Sequence, residues 1–163
     1  MLIIYNLQRP DIVCGINFST SSPLFLTSLV GLEHLSQEEL IQQCPHLFQE
    51  YIDKEYEARI VVIGEEVLGV AIYSQESEIS RIDYRRYDFN VPYKALELPT
   101  KIQDFCLSMT RHYGLHFGAF DFIVTKKEKN FVFLELNPNG QWLWLEQLSG
   151  FPISRSLAAY LTL

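Results

Sequence analysis

The chain has 163 residues, 48% of them hydrophobic and 20% charged, which is the size and composition of one globular domain with a real core. Thirteen Lys and Arg against 20 Asp and Glu give a formal charge of −7. That balance argues against a nucleic-acid binder, because phosphate backbones demand clustered cations, and it suits a protein that holds cations or relies on charge for solubility.

The first 23 residues offer one short strand, MLIIYNL, and a polar loop, NFSTSSP. The opening lacks the basic start of a signal peptide, and no uninterrupted apolar segment is long enough to span a membrane. Leu24–Val30 predicts a second strand. LSQEELIQQC predicts a short helix with Ser36 as N-cap and Glu39 at the third helical position, stopped by Pro45. LFQEYI reads as a strand, and the runs YEARIVVIG and VLGVAIYSQ around Gly64-Glu65-Glu66 read as a hairpin. These three strands are expected to share one antiparallel sheet.

ISRIDYRRYDFNVPY is charged, aromatic and partly extended. Pro99 opens a helix, TKIQDFCLSMTRHYG, with Ile102, Phe105, Cys106 and Met109 at helical spacing and Gly114 closing it. LHFGAFDFIVT and NFVFLELN flank the turn KKEKN as a second hairpin, and a last helix begins near Pro152. Runs of antiparallel strands with helices alongside predict an α+β fold. Cys14, Cys44 and Cys106 are an odd number with no C-x-x-C pair, which suggests reduced thiols in a cytoplasmic setting. His112 and His116 stand four apart, as in a helical zinc pair, but Gly114 lies between them and no third ligand is near in sequence.

The candidate chemistry sits in the second hairpin. Asp121 lies among Phe120, Phe122 and Ile123, where a carboxylate is costly unless paired or bound to a cation. Glu135 and Asn137, two apart on the partner strand, share a face. An Asp opposite Glu-x-Asn makes an all-oxygen ligand set of the kind Mg²⁺ prefers; the structural alternative is an Asp hydrogen-bonded to a Tyr or Arg at the sheet edge. In the first hairpin, Glu57 and Arg59 point the same way. They are expected either to pair on an exposed face or to leave Arg59 for bidentate contact with a phosphate. Arg81, Arg85 and Arg86 cluster in RIDYRRYD, where a solvated charge run is the simpler reading.

In this order and spacing, LFQEYIDKEYEARIVVIGEEVLGVAIYSQ, RIDYRRYDF, FGAFDFIVT and FLELNPNGQWLWLEQLSGFPI resemble the C-terminal portion of an ATP-grasp ligase. The resemblance is closest to the ATP-grasp peptide maturases of the microviridin type. It runs from about Phe25 to Leu163 and leaves residues 1–24 unmatched. It implies a nucleotide held between two antiparallel sheets. The hinge Gln49, Glu50, Tyr51 and Ile52 would meet adenine, and Asp53 or Glu57 the ribose. Arg59, with Arg85 or Arg86, would hold the γ-phosphate and the acyl-phosphate formed from it. Asp121, Glu135 and Asn137 would hold two Mg²⁺ ions, with Glu135 bridging them. The implied activity is ATP- and Mg²⁺-dependent ligation of a carboxylate to an amine or hydroxyl. The implied substrate is a ribosomally made precursor peptide (a RiPP precursor), whose acidic side chains become linked to its Thr, Ser or Lys side chains.

The chain also departs from that family. Before Phe25 the chain has no Lys, so the lysines expected to contact the other phosphates are absent, and family members are about twice this length. The expectation is a truncated ligase completed by self-association or by a complementing N-terminal half. The alternatives are a non-catalytic nucleotide- and metal-binding module or an inactive remnant.

Overall fold

A computed structural model describes residues 12–14 (backbone only), 26–31, 47–86, 88 and 90–162; the expected strand MLIIYNL and helix LSQEELIQQC lie outside them. Ten-residue β4 (Lys54–Ile63) turns at Gly64-Glu65 into β5 (Glu66–Ile72), and Gly64 takes the φ of +57° that favours glycine. β7 (Phe117–Thr125) and β8 (Phe131–Asn137) form the second hairpin, and β6 (Tyr93–Ala95) adds an edge. The order β6-β5-β4-β7-β8 is antiparallel throughout. A separate small sheet has the order β2-β1-β3, from β1 (Ile12–Cys14), β2 (Ser28–Leu29) and β3 (Phe48–Glu50).

The expected union of LFQEYI with the first hairpin is therefore wrong. Both edges of β4 are occupied, by β5 and β7, so β3 has no edge to join there and pairs with β1 instead.

The large sheet is covered on both faces. On one, Ala58, Ile60, Val62, Phe120, Phe122 and Val124 pack under α1 (Thr100–His112) around buried Cys106. The helix ends as the sequence predicts: Gly114 has a φ of +62°, Gly114 N–H bonds Arg111 O at 3.0 Å and Leu115 N–H bonds Thr110 O at 2.8 Å, a Schellman closure. His116 thus falls beyond the helix and contacts the Tyr160 hydroxyl at 2.6 Å, so the helical His112–His116 pair does not form. On the opposite face, α2 (Leu143–Ser149) and α3 (Ile153–Leu161) set Leu145 and Ile153 against Val61, Ile63 and Val70. Burying Phe122 alone is worth about 3–5 kcal/mol against alanine. Among the described residues, no helix is long and apolar enough to cross a membrane.

Candidate functional site

The face that carries α2 and α3 is apolar at one end and charged at the other. Arg59 on β4 stands opposite Asp121 on β7, and Asp121 stands opposite Glu135 on β8. The register thus lines up one cation and two carboxylates across three adjacent strands. Asn137, opposite Ala119, lies on the same face one pleat further on.

A β-bulge makes this row. Asp121 pairs with Glu135 while its neighbour Phe122 pairs with Phe133, leaving Leu134 as the extra residue. In a regular strand Phe133 and Glu135 would share a face. The bulge instead sends Phe133 into the α1 core and Glu135 to the side of Arg59, the kind of redirection bulges perform near active sites.

Arg59 is 5% exposed. Its Nη1 donates to Asp121 Oδ2 at 2.5 Å and its Nη2 to Gln141 O at 3.1 Å. Its Nε is buried without a hydrogen-bond partner, an orphaned donor of the kind a bound anion or water satisfies. Burial disfavours the Arg59 charge, but Asp121, with Tyr84 and Glu135, holds its pKa above the usual value. Asp121 is pushed up to about 6, chiefly by burial; Arg59 opposes this and Glu135 adds to it. Asp121 is half-buried and Glu135 exposed, and two carboxylates this close favour a proton or a cation between them. The Asn137 amide oxygen, on the same face, would complete an all-oxygen donor set of the chemistry Mg²⁺ prefers. Among the described residues there is no cluster of three His, Cys, Asp or Glu side chains able to hold a metal; the candidate set depends on the amide. Asn137 Oδ1 accepts Asn139 N–H at 3.0 Å, which fixes its direction.

The loop after β8 presses on this row at Gly140. A Cβ there would lie 2.5 Å from Ala119 Cβ and 2.8 Å from Arg59 Nη2, so only glycine lets the backbone close over the guanidinium. Gln49 and Glu50 on β3 are exposed, Tyr51 and Ile52 half-buried, and Asp53 exposed. The hinge thus leads directly into β4, which carries Arg59 five residues after its first residue, Lys54.

The two candidate ribose carboxylates differ sharply. Asp53 is open, whereas Glu57 is 5% exposed and accepts bonds from Lys54 Nζ and Ser74 Oγ. The expected Glu57–Arg59 pairing on an exposed face does not occur: both side chains are buried, Glu57 pairing with Lys54 of its own strand and accepting from Ser74, and Arg59 pairing with Asp121 on β7. Arg81, Arg85 and Arg86 are all exposed, as in a solvated charge run, but the carboxylate among them is not. Asp83 is 5% exposed and receives Arg85 Nε at 2.9 Å, Arg85 Nη2 at 2.6 Å and Thr27 N–H at 2.8 Å. Burial would raise its pKa, but these bonds hold it below the usual value. Arg85, raised mainly by its bond to Asp83 and also by Glu135, lies within electrostatic reach of the row. Arg86 does not join it, for its Nη2 donates to Thr27 O at 3.1 Å and Ser28 Oγ at 3.2 Å.

Sequence reasoning missed Tyr84. Burial raises its pKa, and Asp121 and Arg59 are its strongest charged neighbours. Its ring lies 6.0 Å from that of Trp144, which lies 5.9 Å from Tyr93, making an aromatic wall beside the charged row. Nothing in RIDYRRYD marks this Tyr; only the fold brings it there. A cavity of about 460 Å³ with Ile63, Glu66, Arg155 and Tyr160 in its walls lies elsewhere and includes none of the candidate residues.

Solved structures share this architecture. A RiPP-associated ATP-grasp ligase from Chryseobacterium gregarium, in complex with ADP and a leader and core peptide, is 30% identical with a TM-score of 0.78, over 91% of this chain and 47% of that one. The macrocyclase MdnC from Microcystis aeruginosa, bound with precursor peptide MdnA, is 36% identical with a TM-score of 0.77, over 94% and 48%. The ATP-grasp ligase PsnB, complexed with a variant of its minimal precursor, Mg and ADP, shares the fold at 20% identity and a TM-score of 0.67, over 92% and 46%. The chain thus spans about half the length of these structures. No curated protein matches it. The family model for the RimK-like ATP-grasp domain matches residues 3–161, reaching ahead of Phe25 where the sequence resemblance begins. The chain belongs to the RimK-like ATP-grasp domain family.

Proposed function

We propose that this chain binds an Mg²⁺-nucleoside triphosphate across the Arg59–Asp121–Glu135 face and contributes that site to ATP-dependent ligation of a carboxylate. The observation that carries the reading is the single register row of one arginine and two carboxylates on adjacent strands. Gln49, Glu50, Tyr51 and Ile52 would receive the base. Asp53, open where Glu57 is enclosed, is the better placed ribose contact. Asp121, Glu135 and Asn137 would hold two Mg²⁺ ions, with Glu135 between them. Magnesium, when bound, neutralises charge on the terminal phosphate oxygens. Arg59 is pinned by Asp121 and Gln141 O, so it offers a fixed cation to the developing charge without reorganising. Arg85, and Arg86 on release from Thr27, would hold the outer phosphate oxygens.

In the reaction, a substrate carboxylate oxygen bonds to the γ-phosphorus and the bond to ADP breaks. A hydroxyl or amine then attacks the acyl carbon, loses its proton and expels phosphate, leaving an ester or an amide. The substrate we propose is an acidic side chain of a ribosomally made precursor peptide, a reading supported by the peptides named in the two most identical structures reported above. The cations for the remaining phosphates would come from a complementing half or a second copy of the chain, in a cytoplasmic setting. The test is ADP formation that requires both an acidic peptide containing Thr, Ser or Lys and the Glu135 carboxylate. Turnover lost in Glu135→Gln supports the ligase reading. Nucleotide binding without any turnover favours a non-catalytic binding module, and no binding at millimolar ATP overturns both.

A further inference from the structure

A second bulge shapes the large sheet. Lys54 pairs with Thr125 and Tyr56 with Val124, so Glu55 is the extra residue. On a regular strand, residues three apart face opposite sides. Here the bulge brings Lys54 to the face of Glu57, with both residues 5% exposed and Lys54 Nζ 2.5 Å from Glu57 Oε1. The same Nζ donates to Ile82 O at 3.0 Å, and Ser74 Oγ donates to Glu57 Oε2. The segment between these two anchors is stitched to itself: Ser80 Oγ donates to Ser74 O at 3.1 Å, and Gln75 Nε2 to Arg81 O at 2.7 Å. Directly after Ile82 come Asp83, which receives Arg85 and the Thr27 amide, then Tyr84, whose charged neighbours include Asp121, and Arg85, whose charged neighbours include Glu135.

A buried Lys–Glu pair adds little net stability over an apolar pair of similar volume. Its two directed anchors nevertheless fix where the following residues stand. Arg59, two residues after Glu57 on the same face, anchors the loop after β8 through Gln141 O. One face of β4 therefore holds both walls of the candidate site. We propose that Lys54 is a positioning residue for the phosphate end of that site, locking residues 74–86 onto β4 through Glu57 and Ile82 so that Tyr84 and Arg85 stand beside Asp121 and Glu135. This rests on the nucleotide reading above.

The experiment compares wild type, Lys54→Met and the milder Lys54→Gln, which keeps a donor near Glu57 but is too short to hold Ile82 as well. Hydrogen exchange of the full chain should show amides of residues 74–86 exchanging about tenfold faster in the variants, with β4–β5 and β7–β8 protection retained. Titrations with Mg²⁺-ATP and with adenosine should show a loss of about tenfold for ATP and under about twofold for adenosine, a split that general destabilisation does not produce. Unchanged exchange in residues 74–86 overturns the proposal. Equal losses for ATP and adenosine also overturn it, since Lys54 would then serve the base end. If wild type binds neither ligand, the nucleotide reading falls, while the exchange data still decide whether Lys54 locks the segment.

Discussion

Replacing Gly140 by alanine probes the site through its backbone and leaves every candidate ligand in place. The new Cβ would lie 2.5 Å from Ala119 Cβ, 2.8 Å from Arg59 Nη2 and 3.4 Å from Asn137 Cβ. Carbon atoms in contact prefer about 3.5–4.0 Å, so something must retreat by about 1 Å. Ala119 is fully buried on an interior strand, and Arg59 is pinned at both ends of its fork, so the loop itself moves. That motion lengthens the 3.1 Å bond from Arg59 Nη2 to Gln141 O and disturbs the turn in which Gly140 N–H bonds Asn137 O at 3.3 Å. Overpacking of this kind costs about 1–3 kcal/mol, or about 3–10 °C in Tm for a domain of this size. A displacement near 1 Å at a ligating group should weaken Mg²⁺-ATP binding by on the order of tenfold or more. Gly114→Ala is the control. Its φ of +62° makes alanine strained, but no atom lies within 4 Å of the added Cβ, so it should cost about 1–2 kcal/mol and leave nucleotide affinity alone. Thermal unfolding and calorimetric titration read both variants. A Gly140→Ala protein as stable as wild type, with unchanged affinity, would refute the packing argument.

Further predictions follow from the charged groups. Asp121 titrates near 6 in the fold against an ordinary 3.8, so its contribution to stability is complete below the lower value and is lost as pH rises through the upper one. Stability should therefore rise by about 1 kcal/mol between pH 7 and pH 5, and denaturant midpoints of Asp121→Asn should lack that slope. Asp83 works in the opposite sense. Its pKa lies below the ordinary 3.8, so its stabilisation is present above that value and fades as pH falls through the folded pKa. Hydrogen exchange at the Thr27 amide should quicken in that acid range, and Asp83→Asn should abolish the change. Arg59→Met leaves Asp121 buried beside Glu135 without its cation, and should destabilise by about 3–5 kcal/mol unless Asp121→Asn accompanies it. Denaturant unfolding of the single and double variants checks this.

The two hairpins and the Gly114 helix end were legible because their signals are local: turn residues, strand alternation and a left-handed C-cap. Placing FQE in the wrong sheet was a failure of a different kind, since which strand edge is free depends on β7, more than 60 residues away. The metal candidates were found in FGAFDFIVT and FLELN from residue type alone. Why they meet was not seen, because strict alternation would have put Glu135 with Phe133. Phe131, Phe133 and Leu136, at spacings of two and then three, were the available sign of the bulge. Lys54 carried no such sign, as its union with Glu57 exists only once Glu55 bulges against β7. Tyr84 and Gly140 act through long-range packing, and the sequence marks neither except as part of a family pattern.

The central claim is that the Arg59–Asp121–Glu135 row binds a magnesium nucleotide. Its most direct test is calorimetric titration of ATP into the 163-residue chain, with and without Mg²⁺, in wild type and in Glu135→Gln. The account predicts saturable binding that requires Mg²⁺ and is lost in the variant. Binding that is indifferent to Mg²⁺ or to Glu135, or no binding in wild type, would contradict it.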